Sequence, residues 1–173
     1  MAILPVRLYG DPVLRRRADP VEAVTPEIEQ YLDDMIETMY ASVGIGLAAT
    51  QVGITLRMLV LDEGGGVASA YVNPTIVEAG GEDVGEEGCL SLPGIFADVA
   101  RAKWVLVEAR DRKGAPIRRR AAGLLARVLQ HEIDHLEGVL FIDRLDKVTR
   151  DRIKRRIKRE GFPEDARAGA MVL

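Results

Sequence analysis

The chain has 173 residues, 47% of them hydrophobic and 29% charged, which suits a single domain with a real apolar core. A formal net charge of −3 gives no overall attraction to nucleic acid or to an anionic membrane, and no apolar run approaches the roughly 20 residues needed to span a bilayer. Met1 to Val6, interrupted by Pro5, are too short for a signal peptide, and the single cysteine, Cys89, cannot close an internal disulfide, so a cytoplasmic location is expected.

Taken in order, Asp11-Pro12 reads as a cap followed by proline at the first position of a short helix. Thr25-Pro26 repeats that signal, and behind it Ile28, Leu32, Ile36 and Met39 recur at helical spacing, predicting a helix that ends near Ser42. Residues 57–62, 70–73 and 76–79 read as strands, punctuated by Gly64 to Gly66 and by Pro74. Residues 104–110 form a further strand, with a Lys113-Gly114 turn into 116–120. Gly123 and Gly138 bracket a second long helix, and Thr149 is a candidate cap for a third ending at Glu160 before Gly161. The expected fold is therefore α+β, with mostly antiparallel strands, an N-terminal helix, a central helix and a C-terminal basic helix. Residues 1–160 are expected to form one domain. Residues 161–173 carry no periodicity and are expected to fray.

Only two histidines occur, four apart in His131-Glu132-Ile133-Asp134-His135. On a helix, positions i and i+4 lie one above the other, so both imidazoles can reach one ion. Glu132 is rotated by about 100° from the first histidine, which lets its carboxylate meet a water at the ion without becoming a ligand. Leu124, Val128, His131 and His135 share one helical face, and Leu125, Leu129, Ile133 and Leu136 an adjoining apolar one. Arg127, Gln130, Asp134 and Glu137 form the third, polar side, which sets the Arg127 guanidinium at the rim of any pocket there. A catalytic ion usually keeps three protein ligands and one open position. No third histidine exists, Glu137 follows on the wrong face, and Glu160 belongs to a separate basic helix. A lone cysteine is ordinarily a small buried hydrophobe, but a two-histidine site short of one ligand reverses that reading for Cys89, beside the conformationally free Gly88.

The stretch Gly44-Ile45-Gly46-Leu47-Ala48-Ala49 formally matches the G-x-G-x-x-A dinucleotide fingerprint. That fingerprint needs a strand before it and a helix after it. Here a capped helix precedes it and Val52-Gly53 closes the space behind, so a segment of small residues approaching a substrate, with Gln51 as a donor, is the better reading.

Together GIGLAATQ at 44–51, EGCLS at 87–91 and QHEIDHLEG at 130–138 resemble the three signature motifs of bacterial-type peptide deformylases. The resemblance implies a metal-dependent hydrolase that removes the formyl group from N-formylmethionine at the start of nascent chains, releasing formate. It implies Cys89, His131 and His135 as metal ligands, with Fe(2+) native and Zn(2+), Ni(2+) or Co(2+) able to substitute. Glu132 would be the acid/base, Gln51 and the Leu90 N–H the donors to the developing oxyanion, and Gly46 the partner of the substrate backbone. Ile45, Leu124 and Val128 would wall the methionine pocket, and Glu87 would pair with Arg101. Two positions depart from the pattern: Arg127 stands where an apolar pocket residue is usual, and Gly85 where a bulkier side chain is common. The basic run from Arg150 to Arg159 reads either as a solvated face or, by the same resemblance, as a ribosome contact through RNA phosphates. A monomer is expected. The rival enzyme reading, an HExxH endopeptidase, fits poorly with a cysteine ligand. A structural metal module would normally show a fourth protein ligand.

Overall fold

In the computed structural model, residues 2–163 and 172–173 are described. The first long helix, α1 (Pro26–Ala41), starts as its sequence requires: the Thr25 side chain accepts from the Ile28 N–H at 3.3 Å, and Pro26 occupies the first turn. Its buried stripe of Ile28, Leu32, Met35 and Met39 packs on strand β2 (Met58–Asp62).

β2 lies between β1 (Gly46–Ala48) and β3 (Ala68–Gly80) in a five-stranded antiparallel sheet, completed by β6 (Trp104–Arg110) and β7 (Pro116–Ala122) in the order β1-β2-β3-β6-β7. A separate two-stranded hairpin joins β4 (Asp83–Cys89) to β5 (Leu92–Arg101). The central helix α2 (Gly123–Leu136) lies against β1, β2, β6 and β7, and α3 (Lys147–Glu160) closes the described helices. Among the described residues, no helix is long and apolar enough to cross a membrane.

The α+β reading holds, with four differences of detail. The expected break at Pro74 is a bulge inside one strand, because the β3–β6 register shifts between Val72 and Thr75 and so removes proline from the ladder. Asn73 takes a φ of 52° there and clamps Val21 through both amide atoms, at 2.8 and 2.7 Å. The β4–β5 hairpin has no hydrophobic alternation to announce it, since what β4 buries is Glu87, Gly88 and Cys89. Helix α3 is capped by Asp146, whose carboxylate accepts from the Thr149 N–H at 2.9 Å; Thr149 lies inside the helix. Of the residues expected to fray, 164–171 lie outside the described ones, but Val172 and Leu173 are hydrogen-bonded and Leu173 is fully buried.

α2 ends at Gly138 for a steric reason. Its φ is 76°, and a Cβ there would lie 2.6 Å from the Arg15 carbonyl oxygen. The chain is thereby turned beneath the two histidines.

Candidate metal centre

The hairpin and the central helix supply the centre between them. Cys89 ends β4, while His131 and His135 lie on the α2 face turned toward it. One ligand atom from each of the three lies within 4.8 Å of the others, and all three residues are buried. Cys89 Sγ is 3.3 Å from His135 Nε2. The Thr50 hydroxyl donates to the His135 carbonyl at 3.3 Å, and Phe141 stacks on the His131 ring with centroids 6.1 Å apart.

Glu87 orients the first histidine. Its Oε1 lies 2.8 Å from His131 Nδ1, and Arg101 grips both carboxylate oxygens at 2.8 and 2.9 Å. Burial works against the Glu87 charge, but hydrogen bonds from Arg101 and His131 outweigh it and hold the carboxyl down at about 2. An ionised carboxylate only accepts, so Nδ1 carries the hydrogen and the Nε2 lone pair is left for an ion. Accordingly, His131 Nε2 is buried and has no hydrogen-bond partner in the protein. Burial also holds both imidazoles below the ordinary histidine range, which keeps them neutral. The Cys89 thiol is pushed up to about 12 by burial and then by Glu132. Two neutral imidazoles and a sulfur that needs a cation to ionise are the donor set of a soft divalent site, so these residues fit a metal.

Glu132 is fully buried, and both its oxygens lack a partner in the protein. Its Oε1 is 4.0 Å from His131 Nε2, close to the ligand atom without bonding it. Burial and then Glu87 raise its carboxyl well above the ordinary range. Gly46 is the reason the carboxylate fits: a Cβ on residue 46 would come within 2.9 Å of Glu132 Oε1 and of Val128 Cγ1. Gln51 is fully buried on the other side. Its Oε1 accepts from the Ala48 N–H at 3.0 Å, so its Nε2 faces the hairpin, 3.1 Å from Ser91 Oγ and 3.6 Å from Cys89 Sγ. Ser91 had no separate role in the sequence reading, although it stands in EGCLS.

The expected pocket walls are only partly gathered. Leu124 and Val128 line one cleft of about 40 Å³ with Leu61, whereas Ile45 lines another with Tyr40 and Val43. Leu124 is 46% exposed; Ile45 and Val128 share a cluster with Leu173. Leu90 packs with the α1 cluster and would meet any Cβ on Gly44 at 2.8 Å.

Arg127 is the clear correction. It is not at a solvent rim but 6% exposed, donating to Glu87 Oε2 at 2.7 Å, to the Val99 carbonyl at 2.9 Å and to the Asp83 carbonyl at 2.8 Å. The whole polar side of α2 is engaged in the same way. Gln130 exchanges hydrogen bonds with the Ala102 backbone, Asp134 binds Arg101 and Arg144 at 2.6 and 2.7 Å, and Glu137 pairs with Arg17 and Arg57. Arg127, Gln130 and Asp134 thus face the hairpin and its flanks, where a helical wheel alone assigns them to water; Glu137, just past the end of α2, stays exposed.

Along most of its length the chain is similar to one family of known proteins. The family model described as polypeptide deformylase matches residues 3–151. The chain belongs to the polypeptide deformylase family. A peptide deformylase of Alkalilimnicola ehrlichii is 48% identical over 162 residues, covering 92% of this chain and 91% of that protein. One from Halothermothrix orenii is 47% identical over 154 residues, covering 88% of this chain and all of its own length. Among solved structures, the peptide deformylase of Thermus thermophilus superposes with a TM-score of 0.87 at 44% identity, covering 91% of this chain and 95% of that one. A peptide deformylase of Ehrlichia chaffeensis in complex with actinonin gives 0.85 at 39% identity, over 92% and 99%. The chain is thus a metal-dependent hydrolase, and its function is removal of the N-formyl group from nascent peptides.

Proposed function

We propose that Glu132 is the acid/base of this deformylation, acting beside one divalent ion held by Cys89 Sγ, His131 Nε2 and His135 Nε2. The observation that carries this reading is the buried, unpartnered Glu132 carboxylate standing 4.0 Å from the free Nε2 of His131. When bound, the ion supplies Lewis acidity, which polarises a carbonyl oxygen and makes water acidic near neutral pH.

Glu132 takes the proton of the attacking water on a carboxylate oxygen and returns it to the leaving amine nitrogen. Its raised affinity for protons suits both halves of that task. Gln51 Nε2, aimed by the Ala48 N–H on its Oε1, and the Leu90 N–H donate to the formyl oxygen as charge builds there. Gly46 bonds the substrate backbone, and Ile45, Leu124 and Val128 receive the methionine side chain. The products are formate and a free amino terminus.

The family resemblance points to Fe(2+) as the ion in the cell; a thiolate with two imidazoles accepts Fe(2+) as well as Zn(2+), Ni(2+) or Co(2+), and iron with a thiolate makes the enzyme sensitive to oxygen. A nascent-chain substrate is consistent with work in the cytoplasm. Helix α3 supports a ribosome contact: its face carries Arg152, Arg155 and Lys158, and the helix itself contains only two acidic residues, Asp151 and Glu160. Changing Arg152, Arg155, Arg156 and Arg159 to Ala would then weaken ribosome binding and reduce its salt slope by roughly 0.7–0.9 per lost phosphate contact, with free-peptide turnover unchanged.

The decisive assay is formate release from a formyl-Met peptide by protein loaded anaerobically with Fe(2+). A chelator should abolish it and added metal restore it. Fully loaded protein that releases no formate would refute the reading.

A further inference from the structure

The segment Val172–Leu173 does not lie free. The Ile45 N–H donates to the Val172 carbonyl at 3.2 Å, and the Leu173 N–H donates to the Gly88 carbonyl at 3.2 Å. One bond goes to the residue before β1, the other to the residue before Cys89. β1 is an edge of the five-stranded sheet and β4 belongs to a two-stranded hairpin, so the segment bridges two strands that otherwise lack a neighbour on that side. Such edges bind an extended peptide through its main chain and read its side chains in pockets.

The Leu173 side chain is fully buried. It belongs to the cluster of Ala48, Val128 and Leu129, with Ile45 and Leu125 packed against it. Ile45 and Val128 are two of the three walls assigned above to methionine. Leucine and methionine are near equal in volume and exchange readily in apolar sites. Val172–Leu173 therefore has two features the cleft asks of a substrate: main-chain hydrogen bonds beside the metal ligand, and an aliphatic side chain at the pocket.

We propose that Val172–Leu173 is an internal competitor that occupies the cleft between Ile45 and Gly88 and must leave before a formylated peptide can enter. The proposal rests on the reading of that cleft as the substrate's. Because the segment belongs to the same chain as its site, its docking is intramolecular, so even a weak dipeptide contact competes with a substrate that must arrive from solution. The apparent affinity for substrate falls by the fraction of open enzyme. The chemical step is unaffected once substrate is bound.

The test uses the full chain as the metal-loaded enzyme, comparing wild type with Leu173→Asp and Leu173→Met on a short formyl-Met peptide. A carboxylate at 173 resists burial, so Leu173→Asp should lower KM by about two- to ten-fold with kcat unchanged. Leu173→Met should keep the wild-type KM. Amide exchange at Ile45 should quicken in Leu173→Asp, because its acceptor has gone. An unchanged KM in Leu173→Asp would overturn the proposal. So would a lower Tm and lower kcat without a fall in KM, which is the signature of a merely structural plug. If no variant releases formate but Ile45 still loses protection in Leu173→Asp, the segment docks and it is the catalytic reading that fails.

Discussion

The guanidinium of Arg127 fills the space that a side chain on residue 85 would need: a Cβ on Gly85 would lie 3.2 Å from Arg127 Cζ. Gly85 and Arg127 therefore form one packing unit, in which the missing side chain on the hairpin leaves room for a long cation from the helix. Glu87 consequently receives two arginines and a histidine.

From this follows a coupled prediction. Gly85→Ile alone should crowd Arg127 and cost about 1–3 kcal/mol. Arg127→Ile alone removes a buried partner of Glu87 and should cost about 3 kcal/mol or more. The double variant should recover part of that loss, with an interaction energy of about 0.5–3 kcal/mol in a urea-denaturation cycle. Simple additivity of the two losses would show that the positions are independent.

Glu132→Ala should leave the ion bound, because Glu132 is not a ligand, and should lower kcat by about 10²–10⁴-fold on a formyl-Met peptide. Metal content by elemental analysis, measured beside the rate, separates loss of the acid/base from loss of the ion. Near-normal turnover would remove Glu132 from the mechanism.

Gly46→Ala tests the close approach of β1 to α2. The new methyl would sit 2.9 Å from Glu132 Oε1, so the carboxylate must shift. A displacement near 1 Å can cost on the order of 10²-fold in rate. Metal content should be preserved, since the nearest neighbours of that Cβ are Glu132 and Val128, neither of them a ligand.

The chemistry of this chain lies open in its sequence, while much of the scaffold does not. His131, Glu132 and His135 carry the spacing of a metal site on a helix, in line with Leu124 and Val128, and the absence of a third histidine turns attention to Cys89. α1 is legible because Thr25, Pro26 and the Ile28–Leu32–Met39 stripe agree with one another. The hairpin is silent because β4 buries a carboxylate, a glycine and a thiol, so no apolar period marks it. The position of Arg127 is hidden for a related reason. A wheel assigns a charged face to solvent, and only the hairpin shows that the face meets Glu87, Asp83 and the backbone of Val99.

Acid stability should depend on Asp143. Burial raises its carboxyl, but the Arg15 hydrogen bond, the Leu140 N–H and Lys154 outweigh this and hold it below its ordinary value. A depressed value in the folded state means stability that is complete above the unfolded carboxyl value, about 3.9, and is lost as pH falls toward the folded one. Asp143→Asn should lower Tm at neutral pH and flatten the fall in Tm below about pH 4. A parallel acid limb in the variant would assign that loss to other carboxyls.

The cysteine and Glu87 come from one part of the chain and the histidines from another: His131 lies 44 positions after Glu87, and His135 46 positions after Cys89. Closing such separations is the late, entropically expensive step of folding, and local helix formation cannot stand in for it. α2 can coil early with both histidines aligned and still have no third donor. A newly made or partly unfolded molecule should consequently be silent toward formyl peptides until the hairpin docks. During refolding, activity should return with the slowest long-range phase, well after helical circular dichroism has recovered.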